Sequence, residues 1–349
     1  MYLYRRRVAG MLMTAALSAA PWAAHGAPPA TQTWQFRDGA WVATGAEAAA
    51  TQPASDPTLD RAEALLARGK FNAARDLLLA WERTHKTSPE RDRALLLLAD
   101  AFYQYGDRVK AFYYCDEVMD AYPDSRLYYP ALEKQYQIAD SFLNGFKLRF
   151  LGMPVFENHD QAIEMLYRIQ QRAPGSPLAE RSLLRTADHY YASAQYDLSG
   201  DAYAAFVRSY PRSPHVPVAR LRSAYSALAQ FRGLRYDATP ILDARAQLAD
   251  IARTYPELSR EQNLPEVIDR IDTTFARKLY VTADFYRRTN EPRAAVYNYR
   301  YLIQQYPRTD EARRAEADLK QMPQWALETA APGKGTGYSP DFRPPTAEQ

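Results

Sequence analysis

Ala99-Asp100-Ala101-Phe102-Tyr103 leads through Gly106-Asp107, Ala111, Cys115 and Val118 to Tyr122-Pro123-Asp124-Ser125. The order small, aromatic, turn, small, apolar, proline describes two helices joined by a tight bend. The same offsets return further along as Ala187, Tyr190, Ser199, Tyr203, Phe206 and Pro211, and again as Ala283, Tyr286, Ala295, Tyr299, Leu302 and Pro307. Gapless copies of this kind mean stacked structural units, because one helix pair cannot bury its apolar face alone.

These positions match the tetratricopeptide pattern. Small side chains let two antiparallel helices approach, aromatic side chains fill the space between them, and a proline closes the second helix. The closing punctuation recurs at Tyr210-Pro211-Arg212-Ser213, Tyr255-Pro256, Tyr306-Pro307-Arg308-Thr309 and, varied, at Ala173-Pro174-Gly175-Ser176. There the proline ends one helix and the Ser, Thr or Asp caps the next. A weaker first unit is Ala62, Leu65, Ala74, Leu78 and Trp81, and longer connections fall at 144–158 and 231–240. The expectation is an all-α fold, a tetratricopeptide-type solenoid of about six helix pairs with a C-terminal capping helix from Asp310 to Gln321. It is expected to form one cooperative body over residues 58–321, without independent subdomains.

Composition agrees. Of 349 residues 47% are hydrophobic and 24% charged, as in globular proteins. Fourteen glycines are few for Rossmann or phosphate-loop architectures, whereas 26 tyrosines suit packed helices. A single cysteine, Cys115, argues against a disulfide framework or a cysteine-ligated metal site.

Residues 1–26 read as a cleaved export signal: Arg5-Arg6-Arg7, an apolar run from Val8 to Ala20, then small residues around Ala24 and Gly26. The formal charge of +3 belongs to that segment, which holds three arginines and no acid; the remainder is balanced and carries no footprint for nucleic acid. No cysteine precedes Cys115. An acyl anchor is therefore not expected, and membrane association is expected to run through partners. Residues 27–57 form an Ala/Pro-rich linker interrupted by Trp34-Gln35-Phe36-Arg37-Asp38-Gly39-Ala40-Trp41-Val42, which suits either a local hairpin packed on the body or a partner-docking peptide. Residues 322–349 are expected to be a disordered tail; Gly333-Lys334-Gly335-Thr336-Gly337 lacks the spacing of a phosphate loop.

No motif supports catalysis, a cofactor or a metal. His25, His85, His159, His189 and His215 stand singly, without the spacing that places two ligands on one helix face. Cys115 falls at an interhelix packing position and reads as a buried, inert thiol. The first helix of each pair lines the inner face in a tetratricopeptide array, and the four places it offers give Arg93, Asp100 and Tyr103; Arg181, Asp188 and Tyr191; Arg277, Tyr280, Asp284 and Arg287. Tyrosine and arginine are common anchors of protein-binding surfaces, so these ten are the candidate protein-binding residues. The same charges could instead bridge adjacent repeats.

Ala244-Arg245-Ala246-Gln247-Leu248, Arg253-Thr254-Tyr255-Pro256-Glu257-Leu258, the long run from Leu264 to Arg288, and Ala294-Ala295-Val296-Tyr297 through Tyr306-Pro307-Arg308-Thr309 together resemble the BamD family. With the loop 231–237, the resemblance covers roughly residues 177–320. It implies a scaffold of outer-membrane β-barrel assembly, without cofactor, that docks on periplasmic domains of the barrel-insertion protein and meets unfolded clients. No family binding residue is carried over, because none falls in an alignable signature. Competing readings are another periplasmic adaptor resembling the Tol-Pal coordinator, and a helical cell-wall-active enzyme, whose mark would be a cleft carboxylate with a strongly raised pKa.

Overall fold

The computed structural model describes residues 33–37, 40–44, 56–146, 148–150, 153–156, 159–231 and 239–328. The export signal expected at 1–26 and the tail beyond 328 lie outside the described residues. Among those described, fifteen helices follow one another, most of them in successive pairs. The pairs are α1 (Pro57–Ala67) with α2 (Phe71–Thr84), α3 (Arg91–Tyr105) with α4 (Arg108–Ala121), and α5 (Tyr128–Leu143) with α6 (His159–Arg172). α7 (Pro177–Ala192) and α8 (Tyr196–Ser209) follow, then α9 (Val216–Ala229) with α10 (Thr239–Thr254), and, after the short α11 (Pro256–Glu261), α12 (Leu264–Arg288) with α13 (Pro292–Gln305). α14 (Asp310–Leu319) and α15 (Gln324–Glu328) close the described chain.

The chain divides into two compact units, where the sequence led us to expect one body. The N-terminal unit holds the described residues from 33 to 193 together with Arg208–Pro211; the C-terminal unit holds Ala194–Val207 and residues 212–328. In the N-terminal unit each helix packs on the next, and α1, α3, α5 and α7 also pack on one another, which is the helix-pair stacking of a tetratricopeptide array. In the C-terminal unit α10, α12 and α14 stack in the same way, with α9 and α13 against them and α15 against α13.

The small positions of the repeat sit where helices touch. Ala99, Ala111, Cys115 and Val118 are fully buried, as are Ala283, Ala295, Tyr299 and Leu302. Leu95, Leu98, Leu132 and Ile138 fill the spaces those small residues leave, each burial stabilising the fold by about 1.5–3 kcal/mol. A larger side chain at Ala99 would force α3 away from its neighbours.

Helix ends follow local chemistry. Asp56 caps α1 by accepting from the Thr58 amide at 2.7 Å and also accepts from the Trp81 indole at 2.7 Å, tying α1 to α2. Ser176 and Thr309 cap α7 and α14 as expected. Ser125 and Ser213 instead bond the amides of Leu127 and His215 in the turn just before α5 and α9. Gly106 ends α3 at φ 100°, a left-handed conformation that lets α4 start within two residues.

One feature follows an alternative the sequence offered, and three go beyond or against expectation. The aromatic part of the linker is an antiparallel hairpin, β1 (Thr33–Arg37) with β2 (Ala40–Thr44), registered Trp34 to Ala43 and Phe36 to Trp41. It packs on α5: the Trp41 ring lies 5.8 Å from Tyr129, and its indole donates to the Pro174 carbonyl at 3.1 Å. A second hairpin, β3 (Leu148–Phe150) with β4 (Met153–Phe156), interrupts the connection between α5 and α6. Pro256 ends α10 but also opens α11, since proline suits the first helical turn. The body also runs past Gln321: Met322 and Ala326 are buried against α13 and its neighbours, so residues 322–328 are ordered structure where a disordered tail was expected.

Candidate protein-binding surface

The first helices of the N-terminal repeats are joined by cations that reach back to the preceding first helix. Arg93 on α3 bonds Asp60 at 2.8 Å and Glu63 at 2.6 Å, both on α1, and Glu90 at 3.3 Å. Against the cost of burial, those carboxylates raise the Arg93 pKa. Lys134 on α5 pairs with Asp100 on α3 at 2.6 Å. Arg185 on α7 bonds Asp140 at 2.6 Å and Asn144 at 2.8 Å, while Arg181 stacks over the Tyr136 ring at 4.6 Å. Of the sequence candidates here, Arg93 and Asp100 are thus engaged in repeat-to-repeat pairing. Tyr103 lies under the cations of Arg108 and Lys134, at 4.8 and 5.2 Å. Asp188 and Tyr191 are half-buried on α7.

In the C-terminal unit the candidates split. Tyr280 donates to Asp318 on α14 at 2.8 Å, and Tyr299 donates to the same carboxylate at 3.2 Å. Burial and that carboxylate push the Tyr299 hydroxyl well above its ordinary value. Asp284 pairs within its own helix with Arg287 at 2.5 Å and Arg288 at 3.0 Å. Arg277 is exposed. Interhelix ion pairs here include Arg245 with Asp272, at 2.8 Å, and Arg220 with Asp250, at 3.3 Å.

Sequence reasoning missed an aromatic row on the outer side of α13. Tyr297 and Tyr301 stand one turn apart with stacked rings at 6.4 Å and are exposed; the Arg293 guanidinium covers the exposed Trp325 ring at 5.3 Å. The signal was present as Arg293, Tyr297 and Tyr301 at a spacing of four. Large aromatic side chains beside arginine are what protein-binding surfaces use. Among the described residues no group of three or more His, Cys, Asp or Glu is placed to hold a metal ion, and no helix is long and apolar enough to cross a membrane.

The family model described as outer membrane lipoprotein, YfiO, matches residues 156–328, which takes in most of the described helices from α6 to α15. Residues 156–328 belong to the YfiO family. A tetratricopeptide repeat model matches residues 93–125, the copy that contains Ala99, Ala111 and Cys115. The outer membrane protein assembly factor BamD of Caulobacter vibrioides is 24% identical over 153 residues, covering 44% of this chain and 50% of that protein. The chain thus spans about half the length of that relative. The solved C-terminal part of a tetratricopeptide repeat protein from Cytophaga hutchinsonii covers 74% of this chain and 98% of its own at 12% identity, with a TM-score of 0.30.

YfiO membership corrects one expectation. A family of outer membrane lipoproteins carries an acyl anchor, which overturns the reading that this protein lacks one. That reading turned on the lack of a cysteine before Cys115; Cys115 itself is a core side chain, fully buried in α4, where burial pushes its thiol far above the ordinary range. The YfiO match also associates this region with the outer membrane.

Proposed function

We propose that this protein is a non-catalytic scaffold of outer-membrane β-barrel assembly, exported to the periplasm by residues 1–26 and working through residues 58–328. The observation that carries this reading is the match between its repeats and the BamD assembly factor of Caulobacter vibrioides, together with the YfiO family assignment of residues 156–328. The partners are the periplasmic domains of the barrel-insertion protein and unfolded client segments. The geometry supports a binding role: repeat-to-repeat ion pairs hold the N-terminal helices in register beside Tyr103, and in the C-terminal unit Tyr297 and Tyr301 are exposed on α13.

The test is depletion followed by quantification of outer-membrane barrel proteins, with affinity capture from envelope extract alongside. Barrel proteins should fall and the barrel-insertion protein should be recovered. Unchanged barrel levels with recovery of Tol-Pal components instead would overturn the proposal.

A further inference from the structure

Arg108, the first residue of α4, lines a cleft of about 590 Å³ between α3 and the end of α5, with Tyr103, Gln137, Asn144 and Phe146 around it. Its guanidinium carbon lies 3.3 Å from the centre of the Phe146 ring and 4.8 Å from that of Tyr103, so two aromatic rings are within cation–π reach of the group. Nε and Nη1 are buried and meet no acceptor.

Most half-buried arginines of the N-terminal unit hold a carboxylate; Arg181, which stacks on the Tyr136 ring, does not, but unlike Arg108 it has no buried N–H left without a partner. Arg91 holds Glu82 and Glu117, Arg93 holds three carboxylates, Arg172 holds Asp116 and Asp120, and Arg185 holds Asp140. Asp140, which lines the cleft, is already engaged by Arg185, and Asp107, next to Arg108 in sequence, by Lys110 at 2.9 Å. One full positive charge therefore remains without a counter-charge. Buried N–H groups left unmade carry a desolvation cost that an incoming acceptor removes.

We infer that this cleft binds a carboxylate borne on an apolar group of a peptide, with Arg108 as its charge partner and Tyr103 and Phe146 as its walls. The edge of the guanidinium, where its N–H groups form a fork, matches a carboxylate, and the two rings supply apolar contact for the group that bears it. A single guanidinium charge, with Asp140 in the cleft wall, favours a monoanion over a phosphate dianion. The volume suits one or two residues. The carboxylate is either a chain terminus or an acidic side chain, and the inference does not depend on the assembly role proposed above.

The experiment uses the full chain labelled with ¹⁵N-arginine, following the Arg108 Nε–H resonance by NMR. The probes are N-acetyl-phenylalanine, its neutral amide, and the blocked dipeptide acetyl-Glu-Phe-amide. At least one acid should shift the Arg108 resonance and bind about tenfold more tightly than the neutral amide, the scale of one charge-assisted hydrogen bond. Tighter binding of N-acetyl-phenylalanine assigns a chain terminus, and tighter binding of the dipeptide assigns a side chain. Arg108→Lys, which keeps the charge and loses the fork, should weaken the acid about tenfold and leave the amide unchanged. Acid and amide binding equally to the wild-type chain, or neither acid moving Arg108, would overturn the inference; that comparison stands whether or not the variant folds.

Discussion

Asp116 is the residue whose removal the structure weighs most directly. It is nearly buried on α4, accepts from Gln135 on α5 at 2.7 Å and from Arg172 on α6 at 3.0 Å, and faces Arg168 at 3.5 Å. One carboxylate thus ties three helices. In Asp116→Ala, the fully buried Gln135 amide keeps only a long contact to the Phe112 carbonyl at 3.4 Å, and its Oε1 already lacks a partner. Stranding that amide costs about 1–2 kcal/mol. Removing one partner of a buried ion pair costs about 3–5 kcal/mol, but Arg172 is partly exposed and retains Asp120 at 2.8 Å, so about 1–2 kcal/mol applies here. The total is about 3 kcal/mol, or a fall in Tm on the order of 10 °C for a unit of this size. Asp116→Asn keeps an acceptor for Gln135 and should fall between. The assay is urea unfolding together with hydrogen exchange, where α4 to α6 should lose protection while α12 to α14 serve as the internal reference. Asp120→Ala, at an exposed position, should change stability by less than about 0.5 kcal/mol. If Asp116→Ala matches Asp120→Ala, the three-helix tie contributes nothing and the reasoning fails.

Acid should loosen the α6–α7 contact. His189 lies with its ring 5.0 Å from His159, and burial, then the neighbouring His159 and Arg185, lower its pKa against the opposing pull of Asp160. A histidine depressed in the folded state stabilises the fold above its unfolded pKa near 6.5, and that contribution is lost as pH falls through 6.5 toward the folded value. The urea midpoint should therefore drop between pH 7.5 and 5.5, and the drop should shrink in His189→Gln; an identical pH profile in the variant counts against the argument. Cys115 should resist a thiol reagent in the native chain and react fully in denaturant, as its burial requires; rapid native labelling would place it at the surface. Trp41→Ala should release the β1–β2 hairpin by about 1–2 kcal/mol while leaving the helices unaffected, read as faster hydrogen exchange confined to residues 33–44. Unchanged exchange there would mean the indole does not hold the hairpin.

The helix pairs were legible because their signal is steric and local. Ala99 on α3 and Ala111 and Cys115 on α4 must be small for the two helices to touch, and a spacing of four places Ala111 and Cys115 on one face whatever surrounds them. The partners of the charged residues were less legible. Sequence puts Arg93 and Asp100 on the same helix as Tyr103, but their partners, Asp60 and Lys134, depend on how far one helix is displaced along the next. Asp116 was invisible for the same reason: beside Glu117 it reads as a solvated charge, and its arginine lies 56 residues away. The β3–β4 hairpin had a faint signal in Leu148-Arg149-Phe150 and Val155-Phe156 around Gly152, hidden inside what reads as a connection. The division into two units left no mark, since the repeat pattern continues across it.

The backward-reaching cations of the N-terminal unit give the array a direction. A copied helix pair inserted between α3 and α5 would find a carboxylate waiting behind it and would present one of its own to the pair that follows. Such an array lengthens by gene duplication without any junction having to be reinvented, and a pair inserted in reverse order would bring like charges face to face.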